Sequence, residues 1–216
     1  MSVGLRARRA LARRFFARDS LTTARELLGT VLVHETAEGT TAGRIVEVEA
    51  YRGPEDRAAH SFGGRRTARN EVMYGRPGHA YVYFVYGMHY CFNVVTAAID
   101  VPEAVLVRAL EPLEGLDLMR RRRELKGRAG DNVLCRGPGN LCRAMGIDRR
   151  LNGADLLAGE LRVERGSPVA EARVARAPRV GIAYAGDHVA RPWRLYERGN
   201  ASVSALPARA SEAKLP

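Results

Sequence analysis

Cysteine, lysine and long apolar runs are all scarce in this sequence, and each shortage excludes a class of protein. The three cysteines, Cys91, Cys135 and Cys142, are an odd number without a dense framework, which indicates reduced thiols rather than a secreted disulfide scaffold. No apolar run is long enough to span a membrane, and no apolar signal-peptide segment follows Met1. We therefore expect no membrane partner.

The residue spacings that metal and cofactor sites require are missing as well. His34 and Glu35 begin like the helix of a zinc protease, but Glu38 stands where the second histidine would have to be. The cysteines form no Cys-x-x-Cys pair. Gly137-x-Gly139 lacks the third glycine of a dinucleotide-binding loop. We expect neither a metal ion nor an organic cofactor.

Arginine is the residue in excess. Lysine and arginine together number 35 against 24 acidic residues, for a formal net charge of +11, and only Lys126 and Lys214 are lysines. Such a charge indicates a polyanionic partner, most often nucleic acid. Arginine suits phosphate because its planar fork donates two hydrogen bonds at once, although a GC-rich genome would also enrich it. We expect a cytoplasmic protein, associated with the nucleoid in a bacterium, while the acid-free stretch from Arg6 to Arg18 also fits an organellar transit peptide.

The pattern of apolar residues predicts one α+β domain on a mostly antiparallel sheet, because runs of strands follow each other with few helices between them. Helices are predicted over residues 15–29, over 116–125 and over a short segment ending at Met145. Strands are predicted over residues 31–34, 43–51, 80–96, 104–110, 161–165, 179–183 and 193–197, with the 80–96 run broken at Gly87-Met88. Residues 52–79 are predicted to be a loop.

Two carboxylates fall on one face of the strand predicted at 43–51. Strand alternation puts Ile45, Glu47, Glu49 and Tyr51 on the same side. Neighbouring carboxylates raise each other's pKa, which suits one of them to general-base catalysis. The alternative interpretation is a strand face that simply meets solvent.

The aromatic segment at 80–93 predicts a hairpin. Gly87 fits the first central position of a type II′ turn, which would put Tyr86 and His89 beside the tip, while Phe84 and Phe92 are expected in the core. An aromatic side chain projecting from a basic protein is what a base-flipping enzyme needs to fill the gap in the base stack.

Residues 44–61, RIVEVEAYRGPEDRAAHS, closely resemble the signature segment of the alkyladenine type of 3-methyladenine DNA glycosylase. The resemblance continues in order through residues 67–70, 83–93, 108–112, 137–142, 179–182 and 192–194. It implies a single α+β domain, built on a curved and mostly antiparallel sheet with surrounding helices and a protruding hairpin. We assign the domain to residues 15–206, between a basic extension at 1–14 and a loose tail at 207–216.

The resemblance also implies roles for individual residues. Glu49 resembles the base that deprotonates the attacking water, with Arg108 and the backbone carbonyl of Val180 holding that water. No catalytic role falls on Glu47. The implied walls of the base pocket are Tyr51, His60 and Tyr83, together with Asn93 as the residue that discriminates against the guanine 2-amino group.

The implied DNA contacts surround this pocket. Tyr86 resembles the intercalating tyrosine, with Met88 and His89 beside it on a minor-groove hairpin. The loop after the first pocket residues carries Arg65, Arg66 and Arg69, for which we predict phosphate contacts. A solvated basic loop is the alternative.

The function implied is base-excision repair. The enzyme would flip an alkylated purine, with deaminated and etheno purines as further candidates, out of double-stranded DNA and hydrolyse its N-glycosidic bond. We expect a monomer, and a monofunctional enzyme, because lyase chemistry needs an amine and neither lysine lies in a pocket-forming segment. Two other classes remain open. A non-catalytic damage-recognition protein would lack Glu49 or Arg108, and an RNA-binding module would need neither Glu49 nor Tyr86.

Overall fold

The computed structural model describes residues 9–85, 87–127 and 129–204. Within them, eight strands form one sheet: β1 (Val31–Thr36), β2 (Gly39–Tyr51), β3 (Ala80–Val85), β4 (His89–Thr96), β5 (Glu103–Glu114), β6 (Leu161–Glu164), β7 (Val174–Ala177) and β8 (Arg194–Glu197). Four α-helices accompany it: α1 (Arg13–Phe16), α2 (Ser20–Leu27), α3 (Leu116–Arg123) and α4 (Pro138–Met145). Short 3-10 turns fill most of the connections. The predicted tail at 207–216 and most of the predicted basic extension, residues 1–8, lie outside the described residues.

The sheet is antiparallel throughout its described pairings and runs in the order β3-β4-β5-β2-β1-β6. Strand β2 lies at the centre of the sheet. It pairs with β5 along one side, and on its other side it pairs first with β1 and then, further along, with β8. Strand β7 pairs with β8 and extends this branch. The sheet curls into half a barrel, which confirms the predicted α+β fold with a single curved sheet and surrounding helices.

Three register shifts interrupt the ladder between β2 and β5, and the two on either side of Glu47 are bulges that bear on the site. Ile45 pairs with Leu110 and Glu47 with Ala109, which leaves Val46 as an extra residue in β2; the next pair skips Arg108 in β5 and so restores the register. Because of the first bulge, Ile45 packs into the main core with Val48 and Ala50, whereas simple alternation placed it with Glu47. That part of the prediction was wrong, since a bulge depends on the partner strand.

The helices cover one face of the sheet and close the main core. Phe16, Leu27, Phe92, Leu110 and Met145 are buried there together. Helix α2 begins where the Asp19 carboxylate accepts the N–H groups of Leu21 and Thr22, and α4 ends at Gly146, whose φ of 72° is left-handed. No helix in the described part of the chain is long and apolar enough to cross a membrane.

The structure corrects two predicted elements. The helix predicted over 15–29 is two helices, α1 and α2. Residues 179–183 form no strand, because Arg179 turns into a buried ion pair and Gly181 takes a φ of 75°. The strand of this region is β7, whose sequence VARA has little β-propensity and was not predicted.

The hairpin of β3 and β4 protrudes as predicted, but its turn differs. Val85 pairs with His89, and the Met88 N–H donates to the Val85 carbonyl at 3.3 Å, so Gly87 is the second central residue rather than the first. Phe84 is half exposed instead of in the core, because it lies on the projecting end of the hairpin. Tyr86 lies outside the described residues.

Candidate active site

Glu49 lies near the end of β2 and is completely buried. Its Oε1 accepts the Val180 N–H at 2.8 Å, its Oε2 accepts the Tyr51 hydroxyl at 2.9 Å, and Nη1 of Arg108 is 3.3 Å from Oε1. Burial raises the pKa of Glu49 above its ordinary value, while Arg108 and the two hydrogen bonds oppose that rise. A carboxylate that is costly to keep ionised, yet held in one orientation, is suited to accept a proton.

The second carboxylate, Glu47, is also completely buried, so the solvent-facing interpretation of this strand face is wrong. Its oxygens accept hydrogen bonds from Nε of Arg108 at 3.1 Å, from Nη1 of Arg194 at 3.2 Å and from the Ser204 N–H at 2.6 Å. Two arginines thus hold Glu47 as an ion-paired carboxylate. Glu49, by contrast, receives two of its contacts from neutral donors.

The bulge in β5 places Arg108 between the two carboxylates. An unpaired bulge residue lets its side chain be re-aimed, and bulges are common next to active sites. Besides Glu47 and Glu49, the guanidinium donates from Nη2 to the Ser204 hydroxyl at 3.3 Å. Burial alone would lower the pKa of Arg108, but the two carboxylates outweigh it and raise the pKa, so the guanidinium stays charged.

The four predicted pocket residues line one cavity of about 40 Å³. They are Tyr51, His60, Tyr83 and Asn93, and the remaining walls are Ala58, Met73, Tyr81, Ala104 and Tyr184. Ordinary ligand pockets hold about 300–1,000 Å³, so we expect a wall to move when a purine enters. Because the Tyr51 hydroxyl touches Glu49, the carboxylate is one side chain away from this cavity.

The rings of the pocket are fixed against each other. His60 lies edge-on to Tyr83 with 4.6 Å between ring centroids, and its Nδ1 is 2.8 Å from the Tyr81 hydroxyl. Burial, with a smaller contribution from Arg69, lowers the pKa of His60 to about 4. His60 is therefore neutral at pH 7 and does not repel a cation. The Asn93 amide donates to the Tyr81 carbonyl at 3.0 Å.

Of the described residues predicted to contact DNA, Arg65 and Arg69 lie beside the pocket, whereas Met88 and His89 line a separate cavity with α4. Met88 is 69% exposed at the hairpin turn, and His89 packs against Gly139 at the start of α4. Arg69 donates to the Phe84 carbonyl at 3.2 Å and lies over the Tyr83 ring. Arg65 and Arg69 also line a groove of about 490 Å³ that shares Ala58, His60 and Tyr184 with the pocket.

Arg66, the third predicted phosphate contact, is held by the protein itself. Its guanidinium binds both oxygens of Glu71, at 3.0 and 2.5 Å, and Asp100 at 2.9 Å. A phosphate would have to compete with these carboxylates.

Sequence reasoning missed several residues that hold this site together. Arg194 and Ser204 bind Glu47. Asp56 and Arg179 form a buried ion pair, and Tyr184 lines the pocket. A charged residue in a sequence gives no sign of whether it is buried. Tyr81 could have been found, since it precedes Tyr83 by two residues and strand alternation puts both on one face.

A family model described as methylpurine-DNA glycosylase matches residues 14–201. The chain belongs to the methylpurine-DNA glycosylase family. Family membership makes it a monofunctional DNA N-glycosylase, a hydrolase of N-glycosyl bonds that repairs alkylation damage. This confirms the predicted enzyme class and decides against the non-catalytic damage-recognition protein and the RNA-binding module.

Individual relatives agree over nearly their whole length. A protein of Desulfitobacterium hafniense is 53% identical over 199 residues, which cover 90% of this chain and 98% of the relative. One of Clostridium acetobutylicum is 48% identical over 202 residues, covering 91% and 98%. One of Bacillus cereus is 46% identical over 197 residues, covering 88% and 96%. All three carry the provisional name 3-methyladenine DNA glycosylase.

Proposed function

We propose that Glu49 is the general base that activates water against the C1′ carbon of an alkylated purine nucleotide flipped out of duplex DNA. Glu49 takes one proton from the water as the water oxygen bonds to C1′. The bond from C1′ to the purine nitrogen breaks, and its electron pair stays with the departing base. The observation that carries this proposal is a completely buried carboxylate with a raised pKa, one side chain away from an aromatic pocket.

The charge of the lesion accounts for the proposed preference for alkylated purines. An N3- or N7-alkylated purine is a cation, and the electron pair it gains on leaving neutralises it, so it departs without needing a proton. The aromatic faces of Tyr51 and Tyr83 attract such a cation by roughly 0.5–2 kcal/mol each. Neutral His60 does not oppose it. Uncharged deaminated and etheno purines fit the same pocket chemistry but lack both advantages, so we propose them as slower substrates.

Arg108 and Val180 would hold the water. The Val180 N–H binds Glu49, so Val180 is next to the carboxylate, and its carbonyl is our proposed water acceptor. Arg108 reaches Glu49 from the other side. The Asn93 amide donates to the Tyr81 carbonyl, which holds the Asn93 side chain in one orientation. This fixed orientation supports its proposed role in discriminating against the guanine 2-amino group.

The duplex would be held around the pocket by a monomer. We propose that Tyr86 replaces the flipped base in the stack, with the exposed Met88 and with His89 beside it in the minor groove. Arg65 and Arg69 are the proposed phosphate contacts. Arg66 is a weaker candidate because its guanidinium is bound to carboxylates.

The test is Glu49→Gln, which keeps the side-chain shape but removes the proton acceptor. Release of methylated purines from alkylated DNA should fall by about 10²–10⁴ in a single turnover, while affinity for a lesion-containing duplex is kept. Glu164→Gln is the control, because Glu164 is a buried carboxylate on the remote strand β6. Wild-type release by Glu49→Gln would refute the proposal. Parallel duplexes with 3-methyladenine, 7-methylguanine, hypoxanthine or ethenoadenine would rank the lesions, and excess chelator should leave the rate unchanged.

A further inference from the structure

A second buried ion pair lies beside Glu49 and has no part in the mechanism so far. Nη1 and Nη2 of Arg179 donate to the two carboxylate oxygens of Asp56 at 2.5 and 2.7 Å, and neither side chain is exposed to solvent. A fully buried ion pair recovers little more than the cost of desolvating its two charges, so stability alone is a poor reason for it.

This pair joins three separate pieces of chain. Nη1 of Arg179 also donates to the Ala50 carbonyl at 2.9 Å, directly after Glu49. The Asp56 carboxylate accepts the N–H groups of Arg52 at 3.1 Å and Ala58 at 3.0 Å. The end of β2, the turn that follows it and the segment containing Arg179 are therefore fixed to one another.

Both neutral donors to Glu49 are attached to this assembly. Val180, whose N–H binds Oε1, is the neighbour of Arg179. Tyr51, whose hydroxyl binds Oε2, has its ring 4.6 Å from the Arg179 guanidinium, and Trp193 lies 4.9 Å from the same guanidinium. The guanidinium thus contacts the Tyr51 ring directly and holds Val180 through one peptide bond.

We infer that Asp56 and Arg179 are positioning residues, which hold the Val180 N–H and the Tyr51 hydroxyl on Glu49 and so orient the general base without touching DNA. This inference rests on the proposed role of Glu49. It predicts that loosening the pair weakens two hydrogen bonds that favour the ionised carboxylate. The pKa of Glu49 would then rise further, and the excision rate would need a higher pH.

The substitutions leave the other charged and titratable groups around Glu49 chemically unchanged. They are Glu47, Arg108, Tyr83 and Cys91. His188 faces the pair itself, with Nδ1 3.6 Å from Asp56. Asp56→Asn removes a negative charge, which by itself would lower the pKa of Glu49, whereas Arg179→Lys keeps the charge. An upward shift of the pH profile in both variants is therefore assigned to the lost hydrogen bonds.

The experiment compares Asp56→Asn and Arg179→Lys with wild type in single-turnover excision across pH, with lesion affinity and thermal unfolding measured on the same preparations. We expect the rate at neutral pH to fall at least about tenfold. The acid limb of the pH profile should move up by about one pH unit, and lesion affinity should stay within a few-fold. If both variants fail to fold, Trp193→Leu takes their place, because it removes one ring that packs on the Arg179 guanidinium. The acid limb of this variant should move in the same direction, but by a smaller amount.

The matched control is the ion pair of Arg44 with Glu197, which lies on the same sheet but does not reach Glu49. Arg44→Lys should lower the unfolding temperature and leave the acid limb where it is. An unshifted limb in the Asp56 and Arg179 variants, with rates lost only in proportion to the unfolded fraction, would overturn the inference. Failure of the proposed function is distinguishable, because Glu49→Gln would then excise at the wild-type rate.

Discussion

Nε of Arg108 donates to Oε1 of Glu47 at 3.1 Å, and both side chains are buried. Glu47 is therefore an anchor of the active site, although the family resemblance gives it no catalytic role. One guanidinium connects it to Glu49, 3.3 Å from Nη1. Two carboxylates two residues apart thus differ in their partners, because two arginines pair with Glu47 whereas Glu49 receives two neutral donors.

Glu47→Gln should lower the free energy of unfolding by about 3 kcal/mol, because it breaks a buried ion pair and leaves Arg108 and Arg194 under-compensated. The folded variant should still excise faster than Glu49→Gln. Its acid limb should move to lower pH, since the charge of Glu47 raises the pKa of Glu49. Denaturant unfolding and single-turnover excision measure the two effects. A crippled Glu47→Gln beside a mild Glu49→Gln would mean that the base is the other carboxylate.

The pH dependence of excision should come from Glu49 alone. Burial raises the pKa of this carboxylate, and a base must be deprotonated, so the rate should rise with pH along a limb above the ordinary glutamate value of about 4.3. The pKa of His60 is lowered to about 4, so His60 is already neutral along that limb. His60→Gln should weaken lesion binding without moving the midpoint. A midpoint that followed the His60 change would contradict this assignment.

The salt dependence of DNA binding should distinguish Arg69 from Arg66. Each phosphate contact contributes about 0.9 to the slope of log K against log salt concentration. Arg69→Ala should reduce the slope for undamaged duplex by about one, whereas Arg66→Ala should change it little because Glu71 and Asp100 hold that guanidinium. Fluorescence anisotropy over a KCl series measures both variants. Equal reductions would show that Arg66 leaves its carboxylates to bind DNA.

Local pattern predicted much of this molecule, and long-range pairing explains what it missed. Strand alternation placed Glu47, Glu49 and Tyr51 on one face because that period needs only the strand itself. The bulges at Val46 and Arg108 arise only when β2 pairs with β5, so neither segment alone predicts them. Arg179 lies in a segment that reads as a strand, yet its partner Asp56 is 123 residues away. The predictions were wrong where a distant ion pair or the register with a partner strand determines the backbone conformation.

Tyr184 should govern which purines enter. The pocket holds about 40 Å³, and Tyr184 is its most exposed wall at 71%, with its hydroxyl 3.4 Å from the Ala58 carbonyl. Most other walls are buried in the fold, so we expect this ring to move aside when a purine enters. Tyr184→Ala should raise single-turnover excision of ethenoadenine relative to 3-methyladenine by about tenfold, the scale on which pockets discriminate size. Tyr184→Phe, which keeps the ring, should behave like wild type. If both lesions responded equally to the alanine change, the purine must enter past another wall.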